Sequence, residues 1–415
     1  MVTTTIIATP SAARAAAAQA DGHLAIALYQ VGRPELPGVG HALPHVVHSL
    51  PIPPGVRAWD FLSIALSVFA VDRFVLRDRS ADGWTRVLSL EVELADPDPW
   101  NAVAERLSAA LRFLTGDIWT LRFTGGGTAP PTYQSKLHDR DCVCLFSGGL
   151  DSLIGAMDLV AAGRRPLLIS QASPKEGPVQ AYLAERIGLA DHRFVGRATE
   201  RGQEPYELSS RARSILFIAY GALAADSIGG TLIIPENGLI SINPPLTSRR
   251  LGSLSTRTTH PHYIAELQAI FATAGLPVQL HNPYGMATKG EMLATCADQR
   301  LAALASQSYS CGKGKRKNQQ CGRCVPCLIR RASFLKAGKV DATKYQIMDL
   351  ATDARNDDVQ AARFAVAQLG TRNMDRWSAS AGPLPTDPAL RAQYTDVVRR
   401  GIGELDALMS TISWP

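Results

Sequence analysis

The 415-residue chain is long enough for two or three domains of roughly 150 residues, and with 46% hydrophobic residues it can bury a sizeable core, which excludes a disordered or fibrous protein. Lys and Arg outnumber Asp and Glu by 43 to 37, and the excess gathers at Arg249–Arg250, Lys313–Lys317 and Arg330–Arg331. That tilt is too small for a nucleic-acid footprint, and phosphate-bearing small molecules satisfy it equally. The longest apolar run, 61–71, meets Asp72 and Arg73 too soon to cross a bilayer, and residues 1–20 lack the regions of a secretory signal, so a cytoplasmic protein with no membrane partner is expected.

In chain order, residues 23–29 read as a strand, and Trp59 to about Val71 as a helix. Residues 87–94 alternate as a half-buried strand does, 100–114 carry apolar residues at helical spacing, and 118–123 form another strand. Together they predict an N-terminal α/β accessory domain over 1–125 that names no chemistry. The Gly/Pro/Ser-rich stretch beginning at Gly125 reads as a linker, 126–140. Strands then alternate with helices. Apolar runs at 142–146, 166–170, 192–196, 231–235 and 277–281 are separated by helical patterns, including a long one from about 209 to 226 and one from Pro261 to Ala274. Short buried strands between helices imply βαβ units, a doubly wound parallel sheet over 141–340, and a ligand at the carboxyl ends of the strands. Residues 341–415 predict a helical C-terminal extension, broken at Gly382–Pro388, without recognisable chemistry.

The most informative residues are Phe146, Ser147, Gly148, Gly149, Leu150, Asp151 and Ser152, between a predicted strand and a predicted helix. Two glycines let the backbone approach a phosphate, the hydroxyls of Ser147 and Ser152 add donors, and the helix presents its positive end to the anion. Neither a Walker A loop nor G-x-G-x-x-G is present here. The bland reading is a glycine turn with Asp151 as helix cap.

Seven cysteines, four of them crowded into 311–327, argue against a secreted disulfide framework. Cys311, Cys321, Cys324 and Cys327 supply the four thiolates of a structural zinc knuckle; an iron–sulfur cluster would also accept them. Lys313, Lys315, Arg316 and Lys317 are expected to offset their negative charge.

The string Ser-Gly-Gly-Leu-Asp-Ser (147–152) resembles the signature of PP-loop ATP pyrophosphatases. Combined with the later Cys-Gly-Arg-Cys-Val-Pro-Cys (321–327), it resembles the 7-cyano-7-deazaguanine synthase (QueC-like) family, over roughly 142–337. The resemblance implies an adenine-nucleotide alpha-hydrolase-like fold and an ATP-dependent carbon–nitrogen ligase that adenylates a 7-deazaguanine carboxylate, with ATP, Mg²⁺ and Zn²⁺ as cofactors. It implies that Phe146 to Ser152 and Arg213 bind nucleotide, and that Ser147, Asp151, Ser152 and Lys289 are catalytic. Glu236, Asn237, Arg250, Arg257, Thr258 and His260 are candidates for holding substrate or acceptor, or are ordinary polar loop residues. The family's substrate loop is replaced, and the longer pattern with its added front domain looks like the QueC-like component of antiphage Qat or CBASS operons. That implies an operon-encoded protein partner whose amine accepts the acyl group. The ordinary synthase, a PP-loop tRNA-modifying enzyme and a non-catalytic nucleotide-binding scaffold are the alternatives.

Overall fold

The β-branched run at the very start of the chain, Thr-Thr-Thr-Ile-Ile-Ala-Thr, forms a strand that the sequence reading passes over. The computed structural model describes residues 3–171, 176–202, 204–208, 211–247, 257–313 and 319–414. Its strands are β1 Thr3–Thr9, β2 Leu24–Gln30, β3 Gly38–Gly40, β4 Val87–Leu94, β5 Ile118–Gly125 and β6 Cys142–Leu145, then β7 Pro166–Gln171, β8 Arg193–Gly196, β9 Glu200–Arg201, β10 Thr231–Ile233 and β11 Gln279–His281.

The first sheet has the order β5-β4-β1-β2-β3-β9. β1 pairs in parallel with both β2 and β4, and β4 in parallel with β5, whereas β9 runs antiparallel to β3. β3 and β9 are too short for hydrophobic alternation to reveal. The helix Val56–Phe74 is buried continuously from Ala58 to Asp72, as expected of a segment apolar on every side. The helical pattern expected over 100–114 is two helices, Asp98–Asn101 and Ala104–Thr115, because Val103 leaves the helical region with φ of −116°.

The second sheet has the order β11-β10-β6-β7-β8. With β7 and β8 on one side of β6 and β10 and β11 on the other, the chain reverses its direction of winding between β6 and β10. This is the doubly wound α/β arrangement, and its crevice lies where the loops after β6 and β10 diverge.

By internal contacts the chain divides into two compact units, one of Met1–Val143, Phe194–Leu232 and Tyr263–Leu280, the other of Cys144–Arg193, Ile233–His262 and His281–Pro415. In the second, Phe146, Leu150, Leu153, Ile154, Leu168 and Met292 build one buried cluster around the loop after β6. The C-terminal region is helical, with helices at Asp357–Ala367, Met374–Ala379 and Pro388–Ser410. Their apolar faces bury Val359, Trp377, Val398, Ile402 and Leu405 together with Leu239, Ile242, Leu328 and Ile329.

Candidate active site

β6 is buried along its whole length and ends at a turn that the helix Leu150–Ala161 leaves, with Gly149 as its N-cap. Gly148 adopts φ of 83°, a left-handed conformation open to glycine at no steric cost. The loop is held by its carbonyls. Gln180 Nε2 donates to Ser147 O at 3.2 Å, the Tyr309 amide to Gly148 O at 2.8 Å, and Ser152 Oγ to Gly149 O at 3.0 Å. The Ser147 and Ser152 hydroxyls lie 3.2 Å apart, and Ser147 Oγ accepts from the Gly149 amide at 3.3 Å. Two hydroxyls and a helix N-terminus thus converge at one turn, which suits a phosphate chain.

Asp151 stands in the first turn of that helix, 5% exposed. Its Oδ1 meets Lys289 Nζ at 2.6 Å, and its Oδ2 accepts from Asn237 Nδ2 at 2.6 Å and from the Asn237 amide at 3.2 Å. Burial disfavours its charge, but Lys289 first, then bonds from Glu236 and Asn237, hold the carboxyl below its ordinary value. The neighbouring Glu236 shifts the other way: burial, and then the Asp151 charge, push it well above the usual carboxylate range. Asp151 is thus the group favoured in its charged form and Glu236 the one favoured in its neutral form.

Each of these side chains is positioned by a helix start. Asn237 is fully buried, and its Oδ1 accepts from the Ile240 amide at 3.1 Å, capping the helix Gly238–Ile242 while its amide group serves Asp151. Lys289 begins the helix Lys289–Thr295, capped by a reciprocal Thr288–Glu291 box. The C-terminal helix braces this start: buried Glu404 accepts from Thr288 Oγ1 and from the Gly290 amide at 3.2 Å, and Arg400 pairs with Glu291. The sequence reading attached no chemistry to this helix, and neither Glu404 nor Arg400 lies in a recognisable motif.

A cavity of about 410 Å³ opens over these groups, lined by Ser147, Gly149, Asp151, Ser152, Glu236 and Lys289 and by the apolar Leu239, Pro244, Leu246, Ile329 and Leu405. Leu150, Arg257, Ser310 and Cys311 also line it. Of the remaining expected residues, Phe146 is wholly buried, Gly148 turns the loop, and Asn237 stands behind Asp151. Thr258 is half-buried beside Arg257. His260 is buried, accepts from the His262 amide at 3.2 Å, and is pushed down to about 3 by burial and by His262 and Arg257, which keeps its ring neutral. Arg213 opens the helix Arg213–Ile228 in the first unit. Arg250 lies outside the described residues, as do Lys315, Arg316 and Lys317.

The four cysteines come together as the spacing predicts. All are buried, and their sulfurs lie within 4.8 Å of one another. Cys311 and Cys324 Sγ are 3.7 Å apart and Cys321 and Cys327 Sγ 3.9 Å. A tetrahedron with Zn–S bonds of about 2.3 Å has edges of about 3.8 Å, so the donor set fits a zinc ion. The Cys321 amide donates to Cys311 Sγ at 3.4 Å and the Cys324 amide to Cys321 Sγ at 3.3 Å, bonds that favour thiolates. Gly322 turns between ligands at φ of 84°, where a Cβ would stand 2.4 Å from Ile347 O. Lys313, expected to offset thiolate charge, instead pairs with Asp358 at 2.5 Å. Cys142 and Cys144 are both buried in β6 of the second sheet.

Residues 258–338, which span Lys289 and the whole knuckle, match the family model described as queuosine biosynthesis protein QueC. Over these residues the chain resembles QueC. It is 27% identical over 238 residues to 7-cyano-7-deazaguanine synthase 1 of Sphingopyxis alaskensis, covering 50% of this chain and 100% of that protein. It is 25% identical over 241 residues to the 7-cyano-7-deazaguanine synthase of Syntrophobacter fumaroxidans, covering 50% of this chain and 97% of that protein. It is 28% identical over 253 residues to that of Polynucleobacter asymbioticus, covering 52% and 96%. The QueC-like resemblance thus takes in whole relatives and about half of this chain.

Proposed function

We propose that the protein is an ATP-dependent, zinc-containing enzyme that activates a 7-deazaguanine carboxylate as its acyl-adenylate and passes the acyl group to an amine. The observation that carries this reading is the buried Asp151–Lys289 pair beside Glu236 and the Ser147–Ser152 loop, all lining one cavity that also has apolar walls. A carboxylate resists amines because oxide is a poor leaving group. Attack of its oxygen on the α-phosphorus of ATP forms the acyl–phosphate bond and expels pyrophosphate. The amine then attacks the acyl carbon, its proton goes to solvent or a basic group, and AMP departs. Ser147, Ser152 and the helix start meet the charge that develops on the departing pyrophosphate, and Lys289 adds a cation. Asp151 is the group suited to hold Mg²⁺ with the triphosphate, and the four cysteines would hold Zn²⁺ as a structural ion.

The relatives' name favours ammonia as the amine and a nitrile as the final product. The front unit and the rebuilt segment after β10 support a larger acceptor, an amine of a protein partner encoded beside this chain in an antiphage operon. Incubation with ATP, 7-carboxy-7-deazaguanine and either ammonium or the co-expressed partner separates the two. A partner heavier by the acid minus water is expected; an unchanged partner alongside free nitrile would restore the ordinary synthase.

A further inference from the structure

Arg330 is wholly buried, and its guanidinium donates to Ser308 Oγ at 2.9 Å, to Thr343 Oγ1 at 3.2 Å and to the Ala305 carbonyl. Every one of these acceptors is neutral. Among the described residues no carboxylate lies within ion-pair distance of Arg330, in contrast to the buried Arg77 and Arg86, each of which meets two aspartates. A buried cation without an anion is strongly disfavoured, so its compensation has to lie elsewhere. Arg330 follows Cys327 by one turn of the helix Val325–Lys336, and four thiolates around a divalent ion leave a net negative charge there.

The same guanidinium reaches the phosphate loop through a short strap. Ser308, which it holds, is fixed on its other side by Gln320 Nε2 at 3.2 Å. The next residue, Tyr309, donates its amide to Gly148 O at 2.8 Å, and Ser310 Oγ accepts from the Leu150 amide at 3.3 Å. The residue after that is the metal ligand Cys311. Four consecutive residues thus touch Arg330, the phosphate loop twice and the metal site.

We propose that Arg330 is the buried counter-charge of the metal-bound thiolates and that the Ser308–Cys311 strap makes the shape of the phosphate loop depend on the metal. The knuckle is then a positioning device for the loop. The proposal rests on the zinc reading of the cysteines and on the loop's place in the proposed function, but its test needs no nucleotide.

Hydrogen–deuterium exchange of the zinc-loaded protein, with β1 as a folding reference, reads the strap directly. Arg330→Met is expected to lower zinc affinity, measured against a chromophoric chelator, by tenfold or more and to speed exchange across 147–152 at sub-saturating zinc. Arg330→Lys, which keeps the charge without the fork, is expected to stay within threefold of the parent in zinc affinity. Ser310→Ala is expected to keep the parent zinc affinity while the Leu150 amide exchanges at least fivefold faster. Equal loss of zinc affinity in the Met and Lys variants would overturn the counter-charge, and loop exchange unmoved in both Ser310→Ala and chelator-treated folded protein would overturn the strap. A protein that passes these tests yet binds no ATP would contradict the proposed function and leave the coupling standing.

Discussion

Each unit of the molecule buries a cluster of charge, and the two differ in how completely it is neutralised. In the first, Asp72 and Asp117 are wrapped by Arg77 and Arg86. Arg86 reaches Asp72 at 2.7 Å and Asp117 at 2.6 Å, while Arg77 meets Asp117 through two nitrogens at 2.8 and 2.9 Å. Two cations meet two anions and the lone pairs are filled. In the second, the two carboxyl groups of Asp151 and Glu236 are accompanied by one ammonium, burial and the Asp151 charge favour the neutral form of Glu236, and the group faces a cavity. A saturated cluster fixes the fold, whereas an unsaturated one beside a cavity is poised to bind charge.

The largest effect that sharpens this contrast is on catalysis. Asp151→Ala is expected to lower acid-dependent AMP formation a thousandfold or more in protein that is still folded by circular dichroism; equal AMP release from parent and variant would remove Asp151 from the chemistry. The mirror experiment is Arg86→Met, which leaves two buried carboxylates to share the single cation of Arg77 and is expected to cost about 3–5 kcal/mol in urea unfolding. A loss below about 1 kcal/mol would show the first cluster to be less saturated than its geometry indicates.

A smaller effect follows from titration of the same cluster. Burial raises Asp117, but Arg86 and then Arg77 outweigh it and hold the carboxyl below its ordinary value. Its contribution is therefore complete above the unfolded value of about 3.9 and is lost as pH falls through the folded one. Acid unfolding below about pH 4 is expected, with its midpoint moved upward in Arg86→Met. Glu236 carries the opposite sign. ATP affinity, measured calorimetrically, is expected to weaken as pH rises through its elevated value, because a second carboxylate then faces the triphosphate. Glu236→Gln is expected to flatten that dependence to within about threefold; a parallel slope would place the titration elsewhere.

Much of the second unit's chemistry was legible because it is local. A strand, two glycines and a helix start lie within ten residues, and four cysteines within seventeen, so spacing alone specifies their geometry. Lys289 was legible only through the family resemblance. What supports these residues was not. Glu404 follows Lys289 by more than a hundred residues and sits in a polar helix, and Arg330 reads as one of a surface basic pair although it is wholly buried. β1 begins with three threonines, and only its parallel pairing with β2 and β4 reveals it as an inner strand. Long-range packing of single polar residues leaves no period in a sequence.

The central claim is that the loop at Ser147–Ser152 serves adenylation of a carboxylate. Exchange of labelled pyrophosphate into ATP tests it most directly, because it reports the first half-reaction before any amine is chosen. The account predicts exchange that requires 7-carboxy-7-deazaguanine and disappears in Asp151→Ala. Zinc-loaded, folded protein that shows no acid-dependent exchange and forms no AMP would contradict it.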